Sequence, residues 1–459
     1  MARLRLTAAS PPWHGRVVAA TSAESPTEPD HAAVFAAPER HGVRLAGGVL
    51  HVEDVPLPAI GAAVGTPTSV YSSAHVCARY DELAAACASH PTLLCYAVKA
   101  NRSQAVLRTL ARRGAGADIV SGGELARALA AGIPAAKIVF SGVGKLDAEI
   151  DAAISAGVRS INVESAEELG RVAARARALG QVARVALRVN PDIDPDTHPY
   201  LATGLRESKF GVAMAEAEDL AVHAAGQPSL AVVGVACHIG SQIAEAGPFL
   251  ASAQRVRALV LRLRARGVHP RQLDLGGGLG IAYGGHDPSL DVAAFGLAVT
   301  EAARSLEMDL VLEPGRFIVG NAGVLLTRVV GRKRGESRSF VIVDAAMNDL
   351  IRPALYGAVH PVVPVDAHAA ARSPVRADVV GPVCECGDFL ALDRLVPWPE
   401  PGELMAVLGA GAYGMAMAST YNSRPLAAEV LVNGGEFAVT RPRATIEDMI
   451  AAERIPGWL

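Results

Sequence analysis

From about residue 90 the chain alternates between two textures. Short apolar, β-branched runs end in polar residues or glycine, and stretches rich in Ala, Leu, Arg and Glu at helical spacing separate them. The runs are Leu93–Val98, Ala117–Val120, Lys137–Phe140, Ser160–Val163, Arg184–Val189, Val232–His238, Gln272–Leu275 and Asp309–Leu312. Gly123–Leu129, Ser165–Leu179, Phe249–Arg266 and Asp291–Leu306 carry apolar residues on one helical face and charges on the other. Eight strand–helix units within roughly 220 residues predict a (β/α)8 TIM barrel. A doubly wound sheet would use fewer strands and an early glycine-rich turn, whereas here the glycine cluster comes late.

After about residue 320 the helical texture ends. Val324–Val330, Phe340–Val343, Arg376–Val380, Leu404–Leu408 and Ala427–Val432 read as strands separated by Pro and Gly turns. They predict a C-terminal β-sandwich or β-barrel-like domain. Two strand-like pieces before the barrel, Val49–Val52 and Ser69–Tyr71, are expected to join it, so that the barrel is inserted within the β domain. The resulting division is an arm over 1–43, N-terminal strands over 44–74, the barrel over 75–321 and the β domain over 322–459.

Composition narrows the function classes. Charged residues make up 19% of 459 and the net charge is −3, which offers no footprint for nucleic acid. The apolar runs are too short and too interrupted to cross a membrane. Cys77, Cys87, Cys95, Cys237, Cys384 and Cys386 are too scattered for a disulfide framework, and Cys384-Glu385-Cys386 lacks a second pair to complete a zinc site. No metal is expected, and the compartment implied is a reducing cytoplasm. The Ala/Pro/Ser/Thr/Glu mixture of residues 1–43 reads as a disordered or loosely attached arm; its acidic residues Glu24, Glu28 and Asp30 argue against a targeting peptide.

The candidate chemistry starts at Lys99, where the first barrel strand stops. A lysine there is either a snorkelling side chain or a Schiff-base amine in an apolar site. The later strands favour the second reading. The seventh ends in Asp274-Leu275-Gly276-Gly277-Gly278-Leu279-Gly280 and the eighth in Leu312-Glu313-Pro314-Gly315-Arg316. Phosphate sites in TIM barrels commonly lie after strands 7 and 8, and a run of glycines exposes backbone N–H groups. A Schiff-base lysine beside a phosphate cradle points to pyridoxal 5′-phosphate, with Glu313 placed to hold the ring nitrogen protonated. His238, ending strand 6, could stack on the ring, and the Ser241 hydroxyl could bond to phosphate.

Tyr96-Ala97-Val98-Lys99-Ala100-Asn101, His238-Ile239-Gly240-Ser241-Gln242, Gly276–Gly280 and Glu313-Pro314-Gly315-Arg316 together resemble the fold-type III pyridoxal-phosphate decarboxylases. Arg352-Pro353-Ala354-Leu355-Tyr356, Gly381-Pro382-Val383-Cys384-Glu385, Gly411-Ala412-Tyr413 and Tyr421–Pro425 extend the resemblance through the β domain, towards the diaminopimelate decarboxylase family. Thr197–Tyr200 and Ser208–Gly211 also look like that family. The resemblance runs from about residue 45 to the C-terminus.

It implies that Lys99 carries the cofactor, with His238, Ser241, Gly277, Gly278, Glu313, Gly315, Arg316 and Tyr413 around it. Arg316, Arg352 and Tyr356 would grip the distal carboxylate of the substrate, and Glu385 its distal ammonium. Cys384 would protonate the carbanion after CO2 leaves. In the family Cys384 and Glu385 come from the second subunit, which implies a homodimer. The substrate implied is meso-diaminopimelate. Ornithine and arginine decarboxylases bind a distal cation, for which two arginines are unsuited. A racemase on the same barrel, a carboxynorspermidine decarboxylase and a non-catalytic homologue are the alternatives. Cys386 departs from the family pattern, where Ser is expected, and puts a second thiol beside Cys384.

Overall fold

The computed structural model describes residues 30–193, 209–284 and 289–459. Eight parallel strands form a closed barrel: Thr92–Ala97, Gly116–Ile119, Ile138–Phe140, Ser160–Val163, Ala183–Asn190, Leu230–Cys237, Gln272–Asp274 and Asp309–Leu312. Closure is made where the eighth pairs with the first, Val311 opposite Leu93, and where the fourth pairs with the fifth, Asn162 opposite Ala186. Each predicted run becomes one of these strands, within two residues at either end. The short strands are buried along their length, as strands covered on both faces must be. A two-residue strand, Val212–Ala213, extends the sheet beside the fifth.

The helices follow from local chemistry. In Ala166–Leu179 the Ser165 hydroxyl accepts the Glu168 N–H at the start, and left-handed Gly180 ends it. Leu169, Val172, Ala173 and Ala176 form its buried stripe.

The β domain is a second large sheet. Its order is Phe389–Pro397, Pro374–Val380, Ser339–Val343, Gly323–Arg334, Thr68–Ser72, Ala428–Asn433, Glu436–Arg441, with Leu404–Val407 and Val362–Pro364 branching from Gly323–Arg334. Thr68–Ser72, buried at all five positions, lies antiparallel to Gly323–Arg334 and parallel to Ala428–Asn433. The chain therefore passes through the β domain before building the barrel. Val49–Val52 takes a different place. It belongs to a small antiparallel sheet with Arg44–Ala46 and Val55–Pro56, tied to the large one by Leu50 N–H donating to the Val365 carbonyl at 2.9 Å.

Part of the segment read as a loose arm is ordered structure. Asp30–Ala36 is helical, and Val34 is buried in the β-domain core with Leu50, Val363 and Val365. Val34, with Phe35 packed against the same core, docks this short helix, and a composition average does not register it. Residues 1–29 lie outside the described region.

The two layers meet beside Lys99. The Tyr413 N–H donates to the Ala100 carbonyl at 2.8 Å, and the Asn101 amide donates to the Gly411 carbonyl at 3.0 Å. A Cβ on Gly411 would lie 1.8 Å from the Val319 carbonyl, so only glycine permits this approach.

Candidate active site

Lys99 sits in a single 3-10 turn, Val98–Ala100, at the C-terminal end of the first strand. Its Nζ donates to Asp118 Oδ2 at 2.8 Å, and Asp118 is wholly buried at the end of the second strand. Burial depresses the lysine amine, but the charges of Asp118 and Glu313 outweigh it and hold the amine above its ordinary value. The other Asp118 oxygen, Oδ1, is buried with no partner among the described residues.

Glu313, at the end of the eighth strand, accepts from the Ser141 hydroxyl at 3.0 Å. Burial, reinforced by Asp118 and Asp274, pushes its carboxyl well above the usual carboxylate range. Asp274, wholly buried, is pushed up to about 6 by burial, against the Gly276 N–H that it accepts at 2.9 Å. Three buried carboxyl groups thus face one lysine and the nearby Arg188, itself paired to Glu164 at 2.9 Å. A further cation beside these carboxyls, such as a protonated pyridine nitrogen, would favour the ionised form of Glu313.

His238 follows the sixth strand. Its Nδ1 accepts the Gly277 N–H at 3.1 Å, so that nitrogen is bare. Burial, then Arg188 and Lys99, hold the ring well below its ordinary pKa, leaving a neutral imidazole suited to stacking on an aromatic ring.

The glycine run is shaped by packing as well as by ligand access. Gly276 and Gly278 have φ of +68° and +99°. A Cβ on Gly277 would lie 2.0 Å from the Glu313 carbonyl, and one on Gly278 2.2 Å from the Gly240 carbonyl. The run therefore binds the ends of strands 6, 7 and 8 together. The N–H groups of Gly276, Gly277 and Gly280 are committed to Asp274, His238 and Ile243. Those of Gly278 and Gly315 have no protein acceptor among the described residues, which leaves donors for an anion.

Arg316 opens the helix Arg316–Val319 and is 5% exposed. It donates to the Tyr283 hydroxyl at 2.5 Å and to Ser241 Oγ at 3.1 Å, and its Nε has no partner among the described residues. Its guanidinium lies 5.0 Å from the Tyr413 ring centre; Tyr413 is held at φ +58°. Arg352, equally buried, lies 4.8 Å over the other face of this cluster, the Tyr283 ring. Tyr356, half-buried, ends the helix Arg352–Tyr356.

The structure thus gathers Lys99, His238, Ser241, Gly277, Gly278, Glu313, Gly315, Arg316, Arg352 and Tyr413 at one mouth. Cys384 and Glu385 are elsewhere: both are exposed, and neither side chain bonds to a barrel residue among those described. The Cys384 N–H is held by Asn422 Oδ1 at 2.8 Å. Thr197–Tyr200 and Ser208 fall outside the described residues.

Sequence reading missed Asp118, Tyr283 and His360. An aspartate inside the apolar run Gly116–Ile119 was a usable signal for the first. Tyr283 and His360 lie in loops without a motif of their own.

Comparison with known proteins agrees with this geometry. The family model "Pyridoxal-dependent decarboxylase, pyridoxal binding domain" matches residues 73–320. The chain belongs to the pyridoxal-dependent decarboxylases, whose cofactor the Lys99–Glu313 mouth fits. Within that class it belongs to the diaminopimelate decarboxylase family. It is 52% identical to the Pseudomonas fluorescens diaminopimelate decarboxylase over 89% of this chain and 98% of that one. The Neisseria meningitidis enzyme of the same name is 49% identical over 88% and 98%. The crystal structure of the Helicobacter pylori diaminopimelate decarboxylase complexed with L-lysine superposes with a TM-score of 0.83, at 39% identity, covering 86% of this chain and 98% of that one.

Proposed function

We propose that this chain decarboxylates meso-2,6-diaminopimelate to L-lysine and CO2, the closing reaction of lysine biosynthesis. The observation that carries the choice of substrate is the pair Arg316 and Arg352. Both are buried around Tyr283, and among the described residues neither has an acidic partner. Two uncompensated buried cations are costly, and a substrate whose far end bears a carboxylate removes that cost. A substrate with a far-end cation would increase it.

Pyridoxal phosphate, when bound, supplies the electron sink for loss of CO2. Lys99 would hold it covalently through its amine. Glu313 would serve the ring nitrogen, neutral His238 would stack on the ring, and Gly278, Gly315 and Ser241 would offer donors to its phosphate. Tyr413 closes the mouth. Arg352, Arg316 and Tyr356 orient the distal carboxylate, Arg through its paired donors.

Cys384 would supply the proton to the reacting carbon, and Glu385 would accept the distal ammonium. Their exposure, away from the Lys99 mouth, supports their being supplied by a second copy of the chain, and hence an isologous homodimer. The free cysteines fit a reducing cytoplasm.

The direct test is incubation of purified protein and pyridoxal phosphate with meso-diaminopimelate, reading lysine and CO2; a carboxynorspermidine assay alongside separates the nearest rival. Shared sites are tested by mixing Lys99→Ala with Cys384→Ala protein. Random reassortment makes about half the dimers mixed, each with one intact site, so about a quarter of full activity returns. No recovery on mixing overturns the shared site.

A further inference from the structure

Arg352 is fixed by a residue outside the cofactor mouth. Its Nη1 lies 2.7 Å from His360 Nε2, and His360 Nδ1 lies 2.9 Å from the Leu408 carbonyl oxygen. A carbonyl only accepts and a guanidinium only donates, so Nδ1 carries the hydrogen and Nε2 is bare. His360 is completely buried, and its ring meets Tyr283 edge-on with centres 5.0 Å apart. The Tyr283 hydroxyl bonds Arg316 and also reaches Arg352. Burial, then Arg352, push the imidazole down to about 3, so near neutral pH it is an uncharged acceptor.

An aspartate at position 360 would hold Arg352 more tightly but would also neutralise it. A neutral acceptor orients the guanidinium and leaves its charge, with the remaining N–H donors, for a ligand.

We propose that His360 is a positioning residue for specificity: its bare Nε2 fixes Arg352, so that the far end of the substrate must carry a carboxylate. The inference rests on the reading of Arg316 and Arg352 as the carboxylate grip.

The test uses holoenzyme and two probes that differ only in that group, L-lysine and 1,5-diaminopentane, with His360→Phe and His360→Gln variants. Phenylalanine keeps the ring volume and removes the acceptor, whereas the glutamine amide oxygen restores one. Loss of a hydrogen bond to a charged group should weaken L-lysine binding, and raise KM for diaminopimelate, by about ten- to a hundredfold in His360→Phe. Affinity for 1,5-diaminopentane and kcat should change far less, and His360→Gln should recover most of the lost affinity.

Equal weakening of both probes, or a fall in kcat at unchanged KM, assigns His360 a purely structural role and overturns the proposal. If His360→Phe does not fold, the glutamine variant decides: lysine affinity near that of the wild type sustains the acceptor role, and loss equal to that for diaminopentane removes it. Failure of the underlying reading would show separately, as wild-type protein that does not prefer L-lysine to 1,5-diaminopentane.

Discussion

Asp118→Asn tests the electrostatics around Lys99. The two charges are 2.8 Å apart, with the carboxylate fully buried and the lysine side chain 36% exposed. At an effective dielectric of about 20 that separation is worth roughly 6 kcal/mol of attraction. Burial of the amine acts in the opposite direction, and solvent at the exposed third screens part of the attraction. What survives is about one to three pH units on the amine, the range observed for a close opposite charge. Asparagine keeps the volume and removes the charge, so the amine falls by that amount. Only the neutral amine attacks an aldehyde, so capture of pyridoxal phosphate by the apoprotein should rise with pH until the amine is neutral. In wild-type protein the rise continues to the alkaline limit of the assay. In Asp118→Asn it levels off about one to three units earlier, and capture near pH 7.5 is at least tenfold faster. The assay is stopped-flow absorbance of the bound cofactor across pH. Superimposable profiles for the two proteins would refute the coupling between Lys99 and Asp118.

Lys145 is 2% exposed and donates to Gly142 and Asn162 carbonyls and to Glu168. Lys145→Met leaves that carboxylate without its cation and should cost about 3–5 kcal/mol, read as a lower urea midpoint. Asp349, buried beside the Ala346 N–H, is pushed up to about 6 by burial, above its unfolded value of about 3.9. The folded chain then holds the proton longer, so stability is lost as pH rises through that window. Asp349→Asn should therefore gain about 2 kcal/mol relative to wild type between pH 4 and pH 7, measured by urea unfolding at each pH. Cys384 and Cys386 are both exposed. Cys384→Ser should abolish most turnover and Cys386→Ser should retain it; equal loss in both would remove Cys384 from the chemistry.

The barrel was legible because its strands are continuous apolar runs and its helices carry period-3.6 stripes, and both signals are local. Lys99, Glu313 and the glycine run stood at strand ends, where barrel topology alone places function. The β domain was less legible. Phe389–Pro397 carries Asp393 and Arg394 in its middle, with Arg394 nonetheless buried, so the expected alternation is broken. Thr68–Ser72 and Gly323–Arg334 are more than 250 positions apart, yet they are neighbours in one sheet.

The sequence by itself determined the cofactor class and the strand-end positions of the lysine, the glycine run and the carboxylate, because these are read from order along the chain. Only the tertiary structure decided their states. Asp118 lifts Lys99, burial with Asp118 and Asp274 close by raises the Glu313 carboxyl, and Tyr283 with His360 gathers two arginines without neutralising them. Those outcomes depend on distances of 3–5 Å between residues far apart in the chain, and on burial, and neither is written in any local stretch.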